Sequence, residues 1–353
     1  MSHTGPQQIK VLVVDDSRVV AEFLTHLLNS DRGIRVVGVA RNGEEAVEAA
    51  RSMSPDVITM DIHMPGMNGY EATRKIMETC PTPIVIVSGS LKIDEVAGNF
   101  HAIEAGALAV AQRPNGVGQP QYEEVAQELL KMVKLMSEVK VVRRWPRSKY
   151  ASGPAAIPEI VKSKGTIRVV AIGASTGGPL VLQTILSELP KNFAAPVLIV
   201  QHMAHGFVHG FAEWLGHTSG FPVRVATDGE SLKPGCAYIA PDDFHMGVGP
   251  GNTIRLAADI LENGMRPSVS FLFRSVGAMF GSNAAGVLLT GMGKDGAEEL
   301  KTLKDAGAIT LAQDRETSVV FGMPNQAILL DAAMYVLPPD GIARTLATIV
   351  TKP

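Results

Sequence analysis

The chain has 353 residues, of which 46% are hydrophobic and 19% are charged, and its formal net charge at pH 7 is -3. A single hydrophobic core stops growing at roughly 250 to 300 residues, so this length predicts two domains. A net charge this close to zero gives no general attraction to nucleic acid or to anionic lipid, which argues against both as partners.

The number of cysteines and the length of the apolar runs indicate the cellular compartment. Cys80 and Cys236 are too few for a disulfide framework, and the polar segment from Met1 to Lys10 is not an apolar signal region. No apolar run approaches the roughly 20 residues that a membrane helix needs. These observations predict a soluble cytoplasmic protein that does not insert into membranes.

Short apolar runs alternate with helical patterns over residues 9–138. The predicted strands are Val11 to Val14, Arg35 to Val39, Val57 to Met60, Ile84 to Val87 and Ala107 to Ala111. Apolar residues at helical spacing follow the first strand and also end this part of the chain. This alternation predicts a doubly wound α/β domain, in which five parallel strands carry helices on both faces.

The segment 139–164 has no helical periodicity and is both basic and proline-rich. Its composition predicts a solvated linker, which we favour over a basic docking patch. A second α/β pattern covers residues 165–353. It opens with a predicted strand from Ile167 to Ile172, a helix from Leu180 to Leu189 and a strand from Val197 to Val200, so we expect a second doubly wound α/β domain.

Polar residues follow four strands of the first domain. Asp15 and Asp16 follow the first strand, Asp61 the third, Ser88 the fourth and Arg113 the fifth. In an open parallel sheet the ligand crevice lies outside the carboxyl ends of the strands, so these side chains are expected to converge. Three clustered carboxylates repel one another unless a cation lies among them, and oxygen ligands suit Mg²⁺. We therefore predict a Mg²⁺ site formed by the three aspartates.

This set of residues resembles the receiver domain of two-component response regulators, which has a flavodoxin-like fold. The resemblance implies that Asp61 is phosphorylated and that Ser88 hydrogen-bonds the phosphoryl group. It also implies that Asp16 binds the metal directly and Asp15 through water. Two positions depart from the family, since Arg113 stands where a lysine is expected and Val110 where an aromatic residue is usual.

The second domain contains a candidate nucleophile. The turn Gly173–Gly177 matches G-x-S-x-G with Ser175 at its centre, and it follows a predicted strand and precedes a helix that Pro179 is placed to start. Such a turn exposes the serine hydroxyl and directs backbone N–H groups at a developing oxyanion. We expect the N–H groups near Thr176 or Met292 to be the oxyanion donors.

A serine nucleophile needs a base, and the base needs a carboxylate that orients it. His202 follows the strand from Val197 to Val200, at the sheet edge where Ser175 is expected, and is the best base candidate. Asp295, in a glycine-rich turn after an apolar strand from Gly286 to Leu289, is the best orienting residue. The alternatives left open are His205, His209 and His245 for the base, and Asp242 and Asp243 for the carboxylate.

Ser175, the turns that hold His202 and Asp295, and the segments Ile239–Pro241 and Arg266–Val269 together resemble the chemotaxis protein-glutamate methylesterases of the CheB family. The resemblance implies a phosphorylation-regulated hydrolase of chemotaxis-type two-component signalling. Its substrates would be the glutamate γ-methyl esters of methyl-accepting chemoreceptors, and some members also deamidate receptor glutamines.

The resemblance also implies that a CheA-type histidine kinase is the phosphodonor and that the unmodified receiver restrains the esterase. Mg²⁺ is expected at the receiver only, with no cofactor for the esterase. One departure is Ser270, where an aspartate is expected after Arg-Pro-Ser-Val. It affects local support or receptor contacts rather than the three proposed catalytic residues.

Three other functions account for parts of the sequence but not for all of it. A short-chain dehydrogenase has a similar opening glycine turn, but Pro179 replaces a fingerprint glycine and no tyrosine precedes a lysine by four residues. A non-catalytic signalling adaptor, with a receiver weakened by Arg113, is a second possibility. It would not need the set of Ser175, His202 and Asp295 that the chain contains. A DNA-binding regulator would need a compact basic helical motif, whereas the second domain begins with a βα unit.

Overall fold

The computed structural model describes residues 8–89, 100–116, 118–119, 121–139, 141 and 166–350. The chain divides into two compact units, Met1–Tyr150 and Ala151–Pro353. Apart from positions 139 and 141, the predicted linker at 139–164 lies outside the described residues. No helix in the described part combines the length and the apolar character needed to span a bilayer.

The first unit is built on a five-stranded parallel sheet with the strand order β2-β1-β3-β4-β5. Its strands are β1 (Ile9–Val14), β2 (Ile34–Ala40), β3 (Val57–Met60), β4 (Ile84–Ser88) and β5 (Ala109–Gln112). Its helices are α1 (Arg18–Asn29), α2 (Gly43–Met53), α3 (Gly69–Thr79) and α4 (Tyr122–Ser137), and residues 100–105 are also helical. The predicted parallel α/β sheet is confirmed.

Strands β3 and β4 and the Val11–Val14 part of β1 are buried on both faces, as their apolar runs predict. Helix α1 begins at Arg18 because Ser17 is its N-cap and accepts the Val20 N–H. Val110, the position where the family usually has an aromatic residue, packs against the core cluster that includes Ile86. The alternation of buried strands and capped helices therefore produces the architecture expected from the sequence.

The second unit contains a seven-stranded parallel sheet with the order β14-β13-β12-β6-β7-β9-β8. Its strands are β6 (Val169–Ala174), β7 (Val197–Gln201), β8 (Val223–Val225), β9 (Ala237–Ile239), β12 (Ala284–Leu288), β13 (Ile309–Gln313) and β14 (Tyr335–Leu337). Its α-helices are α5 (Gly178–Glu188), α6 (Val208–Ser219), α7 (Val269–Phe280), α8 (Ala297–Asp305), α9 (Met323–Leu329) and α10 (Pro339–Ile349).

A separate antiparallel hairpin, β10 (His245–Gly249) and β11 (Thr253–Ala257), was not predicted. It is followed by residues 258–266, which we call the strap. Glu262 and Met265 pair across the strap as an antiparallel bridge, and Asn263 and Gly264 between them have φ values of 53° and 74°. Positive φ at both central residues is the pattern of a type I′ hairpin turn, for which Asn-Gly is strongly preferred.

Each sheet has a central place at which the chain switches from building one side of the sheet to building the other, and the candidate sites lie at this reversal. In the first unit the reversal falls between β1 and β3, the strands that Asp15 and Asp61 follow. In the second unit it falls between β6 and β12, which lead to Ser175 and to the turn that holds Asp295. Such topological switch points open a crevice at the carboxyl ends of the strands.

Candidate active site

Ser175 directly follows β6 and is held by the backbone on both sides. Its N–H donates to the carbonyl of Thr290 at 3.0 Å, and its carbonyl accepts the Gly178 N–H at 2.8 Å. Gly177 adopts a φ of 81°, a conformation that suits glycine, and α5 begins at the next residue. The chain thus turns sharply from strand to helix at the serine, as the G-x-S-x-G pattern predicts.

His202 occupies the neighbouring strand end. Ala174 and Gln201 are partners in the β6–β7 register, and the His202 N–H donates to the carbonyl of Ala174 at 2.9 Å. Because Ser175 and His202 each follow one of these paired residues, they continue the register beyond two strands that lie about 4.8 Å apart. Among the described residues no hydrogen bond joins the Ser175 hydroxyl to His202, so that link remains a prediction.

The side chain of Gln201 links these two strand ends through hydrogen bonds. Its side-chain Nε2 donates to the carbonyls of Ser175 and His202, at 2.8 Å in both cases. The side chain is buried, and a carbon atom added at Gly178 would lie 2.1 Å from its Oε1. Sequence analysis missed this role, although a polar residue that ends an apolar strand was the available signal.

His202 and Asp295 are joined by a hydrogen bond of 3.0 Å between Nε2 and Oδ2, and their side chains are 7% and 5% exposed. An ionised carboxylate only accepts hydrogen bonds, so Nε2 carries the proton in the neutral ring. Nδ1 is then the ring nitrogen with the free lone pair. It is buried and has no hydrogen-bond partner among the described residues.

The carboxylate of Asp295 accepts five hydrogen bonds. Oδ2 accepts from His202 and from the Val269 N–H at 2.7 Å. Oδ1 accepts from the Ser268 hydroxyl at 2.9 Å, the Ser270 N–H at 3.1 Å and the Asn263 side chain at 3.0 Å. These donors use the acceptor capacity of both oxygens, so the carboxylate is fixed in one orientation.

The same contacts keep Asp295 ionised. Burial alone would raise the pKa of this carboxyl, but the hydrogen bond and the charge of His202, with the bonds from Val269 and Ser270, hold the pKa well below its ordinary value. Ser268 is the N-cap of α7, and Val269 is its first residue. The positive end of the helix dipole therefore faces the carboxylate and favours its charged form.

Ser270, the departure from the family pattern, supports Asp295 through a backbone N–H that any residue can supply. Its hydroxyl accepts the Gly296 N–H at 3.0 Å and lies 2.6 Å from a carboxylate oxygen of Glu299, to which it donates. A neutral side chain here adds no negative charge beside Asp295. The substitution is thus accommodated by a hydrogen-bonded contact to α8.

The two predicted oxyanion donors lie on the turns that flank Ser175. Among the described residues, the N–H groups of Thr176 and Met292 donate to no other group. These turns are tied together, because the Thr290 hydroxyl donates to the carbonyl of Thr176 at 2.9 Å. A carbon atom added at Gly291 would lie 2.6 Å from the Ser175 Cβ, so the turns approach as closely as glycine permits.

The alternative bases and carboxylates lie elsewhere. His245 is fully buried on β10, where it accepts the Ser268 N–H at 3.2 Å and donates to the carbonyl of Ile260 at 3.0 Å. His205 and Asp243 form an exposed pair at 3.0 Å. His209 is exposed on α6, and Asp242 accepts the Gly206 N–H.

The three aspartates of the first unit are brought together. Asp15, Asp16 and Asp61 each offer a carboxylate oxygen, and these oxygens all lie within 4.8 Å of one another. Burial and the charge of Asp61 raise the pKa of Asp15 to about 6. Burial and the charge of Asp16 likewise raise the pKa of Asp61. Carboxylates under this mutual repulsion fit a divalent cation, which would relieve it.

Ser88 and Arg113 lie at the same edge of the sheet. The Arg113 N–H donates to the carbonyl of Ser88 at 2.7 Å, and the Arg113 charge lowers the pKa of both Asp15 and Asp61. A carbon atom added at Gly89 would lie 2.2 Å from a terminal nitrogen of Arg113. The guanidinium therefore occupies space that a side chain at position 89 would take, a role for Gly89 that sequence analysis missed.

Comparisons with known proteins agree with both units. The family model for CheB methylesterase matches residues 170–346, and that for the response regulator receiver domain matches residues 11–116. A protein-glutamate methylesterase/protein-glutamine glutaminase from Geobacter metallireducens is 55% identical over 348 residues, which cover 98% of this chain and 99% of the relative. A protein of the same description from Syntrophus aciditrophicus is 55% identical over 344 residues, 97% of this chain and 98% of the relative.

The crystal structure of the Thermotoga maritima CheB methylesterase catalytic domain is also similar. It matches with 43% identity and a TM-score of 0.51, covering 53% of this chain and all of that domain. The predicted two-domain α/β architecture and the predicted hydrolase class are thereby confirmed. The chain belongs to the CheB methylesterase family and carries a response regulator receiver domain in its first half.

Proposed function

We propose that this enzyme hydrolyses glutamate γ-methyl esters on methyl-accepting chemoreceptors and that phosphorylation of Asp61 controls it. The observation that carries the proposal is the buried hydrogen bond between His202 and Asp295, at the strand end beside Ser175. The relatives' description as protein-glutamate methylesterases supports the choice of ester. Chemotaxis-type signalling in the cytoplasm is the corresponding setting.

In the proposed reaction Nδ1 of His202 takes the proton of the Ser175 hydroxyl as the oxygen attacks the ester carbonyl. Nε2–H remains bonded to Asp295, whose charge stabilises the imidazolium that forms. The N–H groups of Thr176 and Met292 stabilise the oxyanion. His202 then protonates the departing methoxide oxygen, so that methanol leaves, and it activates the water that hydrolyses the acyl-enzyme to give a free glutamate carboxylate.

A second activity follows from the same residues. The relatives are also described as protein-glutamine glutaminases, and a glutamine side chain offers the same acyl group with ammonia as the leaving group. Protonation of the leaving nitrogen by His202 would complete this reaction. We propose deamidation of receptor glutamines as an accompanying activity at the site of Ser175.

The receiver supplies the proposed control. Asp61 would attack the phosphorus atom of a phosphodonor, which in signalling would be a CheA-type histidine kinase, with Ser88 and Arg113 placed to contact the phosphoryl oxygens. Asp15, Asp16 and Asp61 would hold Mg²⁺, whose charge offsets that of the incoming group. We keep 9–138, 139–164 and 165–353 as the proposed receiver, linker and esterase boundaries.

The test measures methanol release from a receptor fragment whose glutamates carry γ-methyl esters. The parent chain should release methanol, faster after treatment with acetyl phosphate and Mg²⁺. Ser175→Ala should lower the rate by several orders of magnitude, and Asp61→Asn should keep the basal rate but lose the increase. Parental release by Ser175→Ala would refute the hydrolase assignment, and stimulation of Asp61→Asn would refute the control.

A fragment that starts at residue 166 separates the two parts of the proposal. It corresponds to the Thermotoga maritima domain that was crystallised by itself, so we expect it to fold. Released from restraint by the receiver, it should hydrolyse the ester faster than the unphosphorylated full chain. Equal rates would exclude inhibition by the receiver and leave the hydrolase assignment intact.

A further inference from the structure

Asn263 connects the strap to the proposed catalytic carboxylate. Its side-chain Nδ2 donates to Oδ1 of Asp295 at 3.0 Å and to the hydroxyl of Ser270 at 3.2 Å. The orientation of the amide follows from the chemistry, because a carboxylate oxygen accepts hydrogen bonds and only the NH₂ end of the amide donates them. The contact therefore needs a hydrogen-bond donor at this position, which the amide of Asn263 supplies.

The backbone of the strap brings Asn263 to this place. Glu262 and Met265 exchange two backbone hydrogen bonds, N–H to carbonyl, at 3.1 and 2.8 Å, which closes the Asn-Gly turn between them. One further bond anchors the strap to β10, and another closes it internally. The carbonyl of Ile260 accepts from the buried His245, and Arg266 donates to the carbonyl of Asp259 at 3.0 Å.

The three groups that donate hydrogen bonds to Oδ1 of Asp295 differ in their exposure to solvent. Ser268 and Ser270, the other two groups that donate to Oδ1, are buried, whereas Asn263 is exposed. Asp295 itself is only 4% exposed. Asn263 therefore lies between solvent and the carboxylate and takes an acceptor site that water would otherwise use.

We propose that Asn263 is a positioning residue for the hydrolysis. It fixes Oδ1 of Asp295, so that Oδ2 keeps Nε2–H of His202 in place and Nδ1 stays directed to Ser175. Asn263 touches neither the substrate nor the reacting atoms in this role. The inference rests on the proposed function, because it assumes that Ser175, His202 and Asp295 carry out the reaction.

The experiment uses the full chain and a synthetic peptide that carries a glutamate γ-methyl ester, with methanol release as the readout. Asn263→Gly removes the amide, while a Gly-Gly pair still permits the type I′ turn. Asn252→Gly is the matched control, because Asn252 also has a positive φ, 58°, in the β10–β11 turn. Asn263→Asp replaces the donor with a carboxylate of nearly the same shape.

We expect Asn263→Gly to lower kcat at least about tenfold through misplacement of the base, with KM unchanged. Asn252→Gly should retain the parental kcat. Asn263→Asp puts a second carboxylate against Oδ1 of Asp295 in place of the donor, so kcat should fall at least as far as in Asn263→Gly, again with KM unchanged. A role confined to stability would lower the unfolding temperature and leave kcat unchanged.

Parental kcat in Asn263→Gly, an equal loss in Asn252→Gly, or parental kcat in Asn263→Asp would each overturn the inference. Ser175→Ala is measured in parallel, so that failure of the inference on Asn263 can be distinguished from failure of the proposed function. An inactive Ser175→Ala with parental Asn263 variants would reject Asn263 alone. A fully active Ser175→Ala would reject the proposed function and the inference with it.

Discussion

Asp295 caps the helix that begins at Val269, because its Oδ2 accepts the Val269 N–H at 2.7 Å. The same oxygen accepts Nε2–H of His202. One carboxylate thus orients the proposed base and satisfies the N-terminus of α7. Changes around Asp295 should therefore affect hydrolysis and folding stability together.

Asp295→Asn is expected to destabilise the second unit by about 3 kcal/mol, because buried donors then meet an amide that accepts at one end only. Urea unfolding followed by the fluorescence of the buried Trp214 measures this loss. The carboxylate contribution should also depend on pH. The folded pKa lies below the ordinary value of 3.8, so the contribution is complete above that value and is lost as the pH falls towards the folded pKa.

The difference in stability between the parent and Asp295→Asn should consequently be constant near neutral pH and shrink below about pH 4. Measuring both proteins from pH 7 to pH 3 tests the sign of this dependence. A difference that stayed constant or grew as the pH fell would contradict the lowered pKa.

Ser268→Ala should lower both stability and activity. The hydroxyl accepts the Phe271 N–H at 3.4 Å as the α7 cap and donates to Asp295. We expect a loss of about 1–2 kcal/mol and a lower kcat, both measured on the full chain. Asn42→Ala removes the comparable cap of α2, where Asn42 accepts the Glu45 N–H, and should leave ester hydrolysis unchanged. Equal effects on kcat would refute a specific role of Ser268.

Gly291→Ala should displace Ser175, because the added methyl group would lie 2.6 Å from the Ser175 Cβ and 3.2 Å from its backbone nitrogen. Misplacement of the nucleophile by about 1 Å lowers kcat by about 100-fold. Gly216→Ala is the control, since its methyl group would make only ordinary contacts, 3.6 Å or longer, on α6. Methanol release tests both variants, and an unchanged kcat in Gly291→Ala would contradict the prediction.

Gly89→Ala should weaken phosphorylation of the receiver. The methyl group would occupy the space of the Arg113 guanidinium, which lies at the end of a flexible chain and would move away. The carboxylates would then lose a positive charge that lowers the pKa of Asp15 and Asp61. Incorporation of labelled phosphate from acetyl phosphate should fall several-fold. Gly116→Ala, with no atom within 4 Å of its methyl group, should match the parent.

The sequence predicted the parallel sheets well because their strands are short buried apolar runs that end at polar residues. Strand β3 was predicted with the bounds that the structure has. The fifth strand was predicted to begin at Ala107, two residues before its observed start at Ala109. Chain order cannot reveal strand order, so the convergence of Asp15 with Asp61 needed the rule for parallel sheets and then the observed register.

The surroundings of Asp295 could not be predicted in the same way. Asn263 and Ser268 reach it across 32 and 27 residues of sequence. The β10–β11 hairpin was missed because both strands have only five residues and two of the five in β10 are glycine, which weakens the β pattern. The Asn-Gly pair of the strap was a readable turn signal, but its side-chain partner depends on tertiary packing.

The Asn-Gly turn of the strap has a practical consequence for the handling of this protein. An asparagine before a glycine is prone to chemical ageing, because the unhindered following backbone nitrogen attacks the side-chain carbonyl and expels ammonia, and water then opens the resulting cyclic imide to aspartate or isoaspartate. Asn263 is exposed and precedes Gly264, so long storage at alkaline pH would convert its amide into an acid beside Asp295. Old preparations would then be mixtures of the amide and acid forms, and specific activity should be compared only between fresh samples whose masses have been checked.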